Sequence, residues 1–274
     1  MITRAIPGTG ESLPVIGLGT WQSFDVGGDA AGLADARESL RLFAEAGGRT
    51  IDSSPMYGSS ESVVGKLASD LGLQDTLFVA TKVWTSGRNE GIEQMRTSAS
   101  RLRRQRIDLM QIHNLVDWRT QLKTLRDWKA QGLIRYLGFT HYTVGAHREL
   151  AALIRSERPD FVQFNYSVIT RDAERELLPV AAEHNTAVLI NRPFEGGELF
   201  ARVRNKPLPP WAGEIECASW AQFFLKFIVS HPAVTCAIPA TREARHLLDN
   251  MGGGTGPLPD ARRREAMAGY VKAL

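Results

Sequence analysis

The segment SSESVVGKLASDLGLQDTLFVATKV, residues 59–83, and the run RTIDS before it, residues 49–53, decide the fold because together they contain a strand, a helix and a strand. Short runs rich in apolar and β-branched residues at 49–54 and 77–83 predict two strands. The apolar residues between them recur at helical spacing and share one face: Val63, Val64, Leu67 and Leu71. A helix at Glu61–Asp70 between two short strands predicts that the strands run parallel, joined by a helical crossover.

The same alternation continues along nearly the whole chain. The predicted strands are residues 15–20, 49–54, 77–83, 107–113, 133–140, 160–166, 187–192 and 233–238. The predicted helices are Ala34–Ala46, Glu61–Asp70, Ile92–Leu102, Trp118–Gln131, Ala146–Arg155, Ala173–His184, Ala218–Ser230 and Arg242–Asn250. Eight such units in about 240 residues fit one closed barrel better than two open sheets. We therefore predict an α/β fold: a single (β/α)8 TIM barrel domain over residues 1–274, with an N-terminal β-hairpin at residues 2–16.

A doubly wound open sheet is the alternative fold. Such sheets commonly begin with G-x-G-x-x-G after the first strand, where the third glycine lets a helix approach a bound pyrophosphate. Here Gly17-Leu18-Gly19 continues as Thr-Trp-Gln, so the third glycine is missing. The glycine run at 251–256 follows a predicted helix and lacks Gly-Lys-Ser/Thr, so we interpret it as a loop that reverses the chain.

Composition and charge narrow the class of protein. The chain is 43% hydrophobic and 23% charged, which is typical of a folded globular protein and excludes a disordered one. A net charge of +3 does not indicate a nucleic-acid partner, and the arginine runs at 101–106 and 261–265 are interpreted as solvated residues near helix ends. No segment has the length of a membrane span or a signal peptide, and Cys217 and Cys236 lack metal-ligand spacing. We expect a cytoplasmic protein that is a monomer or weak oligomer, without a bound metal.

Polar side chains stand at the ends of several predicted strands, where a barrel of this kind carries its active site. They are Asp52, Lys82, His113, Thr140, His141, Gln163 and Asn165, with Tyr57 in the loop after the second strand. Each alone has an ordinary structural explanation, such as a turn-capping Asp or a rim aromatic. Lys82 is harder to explain in this way, because it follows the apolar run LFVAT and would need a buried partner.

The neighbouring strand offers that partner in Asp52. A lysine held by an aspartate beside a phenol favours the phenolate, so we expect the pKa of Tyr57 to lie below its ordinary value of about 10. Tyr57 could then donate and recover a proton, while His113 orients a substrate oxygen.

At these residues the chain resembles the aldo-keto reductase superfamily, whose members are NAD(P)(H)-dependent oxidoreductases on a (β/α)8 barrel. The resemblance spans the chain through GLGTW (17–21), Asp52 with SPMYG (54–58), ATKVW (80–84), DLMQIHN (108–114), GLIRYLGFTHY (132–142), FVQFNYS (161–167) and AIPATREARHLLDN (237–250). It implies that Tyr57 is the general acid and base, that Lys82 and Asp52 tune it, and that His113 orients the carbonyl. The cofactor would supply the hydride.

The resemblance also implies a cofactor site. Thr140, His141 and Gln163 match positions that hold the nicotinamide carboxamide, although the family often has Ser-Asn at 140 and 141. Many relatives stack an aromatic under the nicotinamide where this chain has Asn191 and Arg192, and Arg192 is the candidate to replace it. The cofactor-binding residues implied are Gly19, Thr20, Trp21, Thr140, His141, Gln163, Asn191, Arg192, Pro193, Phe194, Gly197, Thr241, Arg242, His246 and Asn250. NADP(H) is favoured over NAD(H), since Thr241 and Arg242 could bind the 2′-phosphate.

The substrate implied is a small aldehyde or ketone, reduced reversibly to an alcohol. Aromatic residues on the loops suggest a pocket lined by Trp21, Phe24, Trp84 and Trp118, although Phe24 and Trp118 could equally pack loops onto the barrel. Two other functions stay open: a Schiff-base lyase that uses Lys82, and a non-catalytic nucleotide-sensing barrel. A metal-dependent hydrolase is not favoured, because no paired histidines end a strand.

Overall fold

The computed structural model describes residues 1–274 and opens with an antiparallel hairpin, β1 (Thr3–Ala5) and β2 (Ser12–Pro14). Its apolar side chains Ile6 and Leu13 are fully buried against Phe78 and Phe161, which begin two barrel strands. The predicted hairpin is thus present, and it covers the N-terminal end of the barrel and leaves the opposite end open.

Eight parallel strands follow one another in sequence order around a single sheet. They are β3 (Leu18–Gly19), β4 (Thr50–Asp52), β5 (Phe78–Val83), β6 (Ile107–His113), β7 (Ile134–Thr140), β8 (Phe161–Asn165), β9 (Ala187–Asn191) and β10 (Cys236–Ala237). The first and last strands close the barrel through Gly17 N–H to Ala237 O, at 2.8 Å, and Gly19 N–H to Pro239 O, at 2.9 Å. The (β/α)8 barrel is thus confirmed and the doubly wound sheet is wrong.

The two glycines of the motif at 17–19 have a clear packing role at this seam. A Cβ on Gly17 would lie 2.8 Å from Thr50 O, and one on Gly19 would lie 2.9 Å from Ile238 O. Only glycine allows the backbone to approach its neighbours this closely.

Ten helices surround the sheet or follow it. They are α1 (Ala30–Glu45), α2 (Ser60–Asp70), α3 (Arg88–Arg101), α4 (Trp118–Ala130), α5 (His147–Glu157), α6 (Leu177–Glu183), α7 (Glu198–Arg202), α8 (Trp220–Val229), α9 (Ala244–Gly252) and α10 (Ala261–Ala273). Val63, Val64 and Leu67 of α2 are buried against the barrel, as their spacing predicted. No helix has the length and apolar character needed to cross a membrane. The cytoplasmic location and the assembly state stay predictions.

Helices α7 and α10 were not predicted, and α10 corrects one interpretation. The arginine run at 261–265 begins this helix, and Arg264 is buried instead of solvated. Its guanidinium forms an ion pair with Glu174 at 2.8 Å and donates to Tyr166 Oη at 2.5 Å. The acceptors come from the loop after β8, nearly 100 residues away in sequence, so the local pattern does not reveal them.

The register of the strands brings the polar strand-end residues to one end of the barrel. Lys82 of β5 lies opposite Gln111 of β6, and His113 lies opposite Thr140. Thr140 is in turn opposite Gln163 of β8. Side chains far apart in sequence therefore share the C-terminal mouth of the barrel.

Candidate active site

A buried ion pair forms the floor of this mouth. Lys82 Nζ lies 2.7 Å from Asp52 Oδ2 and donates to Ser53 O at 2.6 Å. The other carboxylate oxygen, Oδ1, accepts from Gln111 Nε2 at 3.2 Å and from Gln163 Nε2 at 2.9 Å. Both charged side chains are almost completely buried, so this network of donors and acceptors is what makes the pair tolerable in a poorly solvated position.

Gln111 was missed by the sequence analysis. A signal for it exists, because Gln111 stands two residues before His113 in an otherwise apolar stretch of β6. Side chains two apart on a strand point to the same side, so a polar residue there shares the inward face with His113.

Tyr57 and His113 lie directly above the ion pair. The Lys82 ammonium is 4.8 Å from the centroid of the Tyr57 ring. The Tyr57 and His113 rings meet edge to face, with centroids 6.0 Å apart. The structure therefore brings Asp52, Tyr57, Lys82 and His113 together in one cluster.

The pKa of Tyr57 shifts in the direction opposite to the one expected. Burial raises it above its ordinary value of 10, and the positive charge of Lys82 opposes this shift without reversing it. Burial lowers the pKa of Lys82, but the negative charge of Asp52, and that of Tyr57 once it is ionised, outweigh this effect and hold the pKa above 10.5. At neutral pH the site thus contains a protonated phenol next to an ammonium group, which suits Tyr57 to donate a proton.

His113 is held as a neutral imidazole. Burial, and then the nearby charge of Lys82, lowers its pKa to about 3. Ser54 Oγ lies 3.1 Å from His113 Nδ1 and also accepts the Met56 N–H at 3.4 Å, so its own proton can go to Nδ1. With Ser54 as the donor in this contact, the ring proton of the neutral His113 lies on Nε2. Ser54 is a second residue that the sequence analysis missed.

The depressed pKa of His113 predicts a loss of stability in acid. Between pH 6.5 and about 3 the unfolded chain binds a proton at this residue that the folded chain does not, so the free energy of unfolding falls as the pH is lowered through this window. Urea unfolding at stepped pH values would measure it. His113→Gln should flatten the slope, whereas His246→Gln, at an exposed position, should leave it unchanged. An unchanged slope in His113→Gln would contradict the assignment.

Beside this cluster, the ends of β7, β8 and β9 carry a second polar network. Thr140 Oγ1 donates to Gln163 Oε1 at 3.1 Å, and Asn191 Nδ2 donates to the same oxygen at 3.3 Å. Asn191 Nδ2 also donates to His141 O at 3.2 Å. The His141 ring turns away from the network, because its Nδ1 accepts the Tyr142 N–H at 3.0 Å. Asn191 Oδ1 is buried and has no hydrogen-bond donor.

The loop after β9 and the start of α9 hold the other residues predicted to bind the cofactor. Gly197 has a left-handed backbone, with φ of 101°, and a Cβ there would meet no atom within 4 Å, so the main chain is open to a ligand. Arg192 runs along this loop towards Gly196. Phe194 packs against Phe200 and Phe224. Four other residues predicted to bind the cofactor lie elsewhere: Gly19 and Thr20 at the barrel seam, Pro193 buried beside the loop, and Asn250 on the buried face of α9.

At the start of α9, the Glu243 carboxylate contacts two of the neighbouring basic side chains. Its carboxylate lies 3.1 Å from Arg245 Nη2 and 3.4 Å from His246 Nδ1. Thr241 Oγ1 accepts the Glu243 N–H at 3.1 Å. Arg242 forms no ion pair, so its guanidinium is available to an anionic ligand.

The four aromatic residues of the expected pocket divide into two pairs. Trp21 and Trp84 are 49% and 42% exposed, and the Trp84 ring lies 6.3 Å from that of His113. Phe24 is fully buried in the core, and Trp118 packs edge to face on Phe139 at 6.2 Å. Phe24 therefore packs its loop onto the barrel, whereas the half-buried Trp118 ring lies between Phe139 and the Arg119 guanidinium, which is 4.4 Å from its centroid.

The comparison with known families agrees with this geometry. The model of the aldo/keto reductase family matches residues 15–265. The chain belongs to the aldo/keto reductase family. As a member of that family it is an oxidoreductase, and the match covers every barrel strand.

Two curated relatives are more than a quarter identical to this aldo/keto reductase over the aligned residues. Methylglyoxal reductase YeaE of Escherichia coli (strain K12) is 28% identical over 246 residues, which are 87% of this chain and 84% of that protein. Aldo-keto reductase YhdN of Bacillus subtilis (strain 168) is 28% identical over 205 residues, which are 68% of this chain and 60% of that protein.

Solved structures share the fold at lower identity. An aldo-keto reductase from Klebsiella pneumoniae in complex with NADPH superimposes with a TM-score of 0.80 at 23% identity, covering 99% of this chain and 96% of that one. The holo form of AKR11C1 from Bacillus halodurans gives a TM-score of 0.81 at 19% identity, covering 99% and 96%. Both confirm the barrel architecture of this family member.

Proposed function

We propose that this protein is an NADP(H)-dependent carbonyl reductase in which Tyr57 is the general acid for reduction and the general base for the reverse reaction. One observation carries the proposal: the Tyr57 and His113 rings meet edge to face above the buried Asp52–Lys82 pair. The bound nicotinamide would supply the hydride.

Each member of the cluster has a distinct task. Tyr57 Oη and His113 Nε2–H donate hydrogen bonds to the substrate carbonyl oxygen, which fixes the carbonyl group and stabilises the charge that develops on it. Tyr57 then gives up its proton to that oxygen. The Lys82 ammonium stabilises the phenolate that remains, and Asp52 keeps Lys82 in place at 2.7 Å. Trp21 and Trp84 border the substrate at the exposed rim.

The residues present fit a nicotinamide dinucleotide. Thr140, Gln163 and Asn191 place amide and hydroxyl groups beside the cluster. The open main chain at Gly197 suits a pyrophosphate, and the unpaired Arg242 suits the 2′-phosphate that distinguishes NADP(H) from NAD(H). The Klebsiella pneumoniae aldo-keto reductase that shares this fold was solved in complex with NADPH, a dinucleotide of this kind.

Arg242→Ala tests the phosphate contact. We expect the Kd for NADPH to rise about tenfold, because a charge-assisted hydrogen bond to the phosphate is lost, and the Kd for NADH to stay unchanged. Titration of each cofactor against protein fluorescence measures both values. Arg245→Ala is the control, since that guanidinium is already paired with Glu243. Equal weakening of NADPH and NADH in Arg242→Ala would overturn the assignment.

The proposed activity itself is tested by NADPH oxidation with a panel of aldehydes, ketones and dicarbonyls. Methylglyoxal belongs in the panel because the relative YeaE is named for its reduction. The Schiff-base alternative predicts a borohydride-trapped adduct on Lys82, which the structure disfavours because that ammonium is buried, charged and already bonded to Asp52 and Ser53. A nucleotide-sensing barrel would bind NADPH and turn over no member of the panel.

A further inference from the structure

The side-chain amide of Asn191 has hydrogen-bond partners for its nitrogen but none for its oxygen. Its Nδ2 donates to His141 O at 3.2 Å and to Gln163 Oε1 at 3.3 Å, and these two acceptors fix which way the amide points. Its Oδ1 is buried and receives no hydrogen bond. Buried polar atoms are almost always paired, so an acceptor held in this way by its own network indicates a missing donor.

The unpaired oxygen belongs to a network that leads directly to the catalytic cluster. Gln163 accepts from Asn191 on one side and donates to Asp52 Oδ1 at 2.9 Å on the other. Asp52 in turn holds Lys82. Two hydrogen-bonded steps therefore separate the amide of Asn191 from the carboxylate that anchors the site.

Nearby groups do not supply the donor. The imidazole of His141 is turned towards the main chain of the next turn, where Nδ1 accepts from Tyr142 and Thr143. Thr140 directs its hydroxyl proton to Gln163 Oε1. A donor for Asn191 Oδ1 therefore has to come from a molecule bound in the mouth of the barrel.

The proposed reaction restricts what that ligand group can be. For a hydride to pass from C4 of the nicotinamide to a carbonyl carbon held by Tyr57 and His113, the nicotinamide ring would have to lie in the C-terminal mouth of the barrel. On that ring the carboxamide N–H₂ is the single hydrogen-bond donor. We infer that Asn191 Oδ1 accepts a hydrogen bond from the nicotinamide carboxamide and thereby selects the ring orientation. This inference rests on the proposed function.

The experiment compares two cofactors and three proteins. NADP⁺ is compared with its 3-acetylpyridine analogue, in which a methyl group replaces the carboxamide N–H₂. The wild-type protein should bind NADP⁺ about tenfold more tightly than the analogue, equivalent to about 1.4 kcal/mol. In Asn191→Leu the ratio should fall to about twofold or less. Direct calorimetric titration gives each Kd without any need for turnover.

Asn165→Leu is the matched control. Asn165 lies opposite Asn191 in the β8–β9 register, but its Oδ1 is already within 2.9 Å of His147 Nε2. The same substitution there should leave the ratio of the two Kd values unchanged. If Asn191→Leu does not fold, Asn191→Ala removes the same acceptor with less bulk and provides the same comparison.

The outcomes separate the inference from the proposed function. A wild-type ratio that persists in Asn191→Leu or Asn191→Ala would overturn the inference, as would equal binding of both cofactors by the wild type. Absence of binding to either dinucleotide would overturn the proposed function instead. A ratio that collapses only when the acceptor at position 191 is removed would support the carboxamide contact.

Discussion

Tyr57→Phe is expected to lower kcat for carbonyl reduction about 10³-fold. The substitution removes the only proton that the phenol can deliver to the substrate oxygen, and general acid catalysis typically contributes this much. The ring itself would stay in place beside His113, so the Kd for NADPH should change by less than about twofold. Steady-state NADPH oxidation at saturating substrate, together with fluorescence titration of the cofactor, gives both quantities.

Tyr142→Phe is the control for this change. Tyr142 is 50% exposed and stacks on His141 without reaching the catalytic cluster, so its hydroxyl should not affect turnover. If Tyr57→Phe kept more than about one tenth of the wild-type kcat, Tyr57 would not be the general acid. The general acid would then have to be sought elsewhere.

Lys82→Met is expected to lower the free energy of unfolding by about 3–5 kcal/mol and to abolish turnover. The substitution leaves the Asp52 carboxylate buried without its counter-ion, and breaking a buried pair from one side typically costs this much. Urea unfolding at pH 7 measures the stability. The double variant Lys82→Met/Asp52→Asn should regain most of the lost stability but none of the turnover, because an amide can accept from Gln111 and Gln163 without a charge.

Lys66→Met provides the comparison at the surface. Lys66 pairs with Asp70 on the exposed side of α2, so losing that pair should change the stability by less than about 1 kcal/mol. A double variant as unstable as Lys82→Met alone would mean that lost packing, and not the unpaired carboxylate, destabilises the protein. That result would leave the role of Asp52 as a holder of Lys82 without support.

The sequence predicts both the order of the strands and the candidate residues at their ends, because both depend on short-range patterns. Apolar runs of strand length alternate with amphipathic helical stretches, and this alternation alone predicts parallel strands and a barrel. Asp52 and His113 end their strands and Lys82 is the last residue but one of its strand, so the fold class alone predicts that the three lie at the same end of the barrel. The polar residues are visible because they interrupt apolar runs that would otherwise be buried.

Only the tertiary structure decided the pKa values, the burial and the hydrogen-bond partners of these groups. The sequence predicts a lowered pKa for Tyr57 from the charge of Lys82, but desolvation by the surrounding elements outweighs that charge and raises it. Arg264 is a surface residue by its local pattern, and it is buried because Glu174 and Tyr166 meet it from a distant loop. The hydrogen bond from Gln111 to Asp52 also joins residues that are distant in sequence. Phe24 likewise lies in the core because distant residues pack around it. The solvation, hydrogen-bond partners and packing of a side chain depend on residues that come together only when the chain folds. The periodicity that predicts a strand depends only on neighbours in sequence.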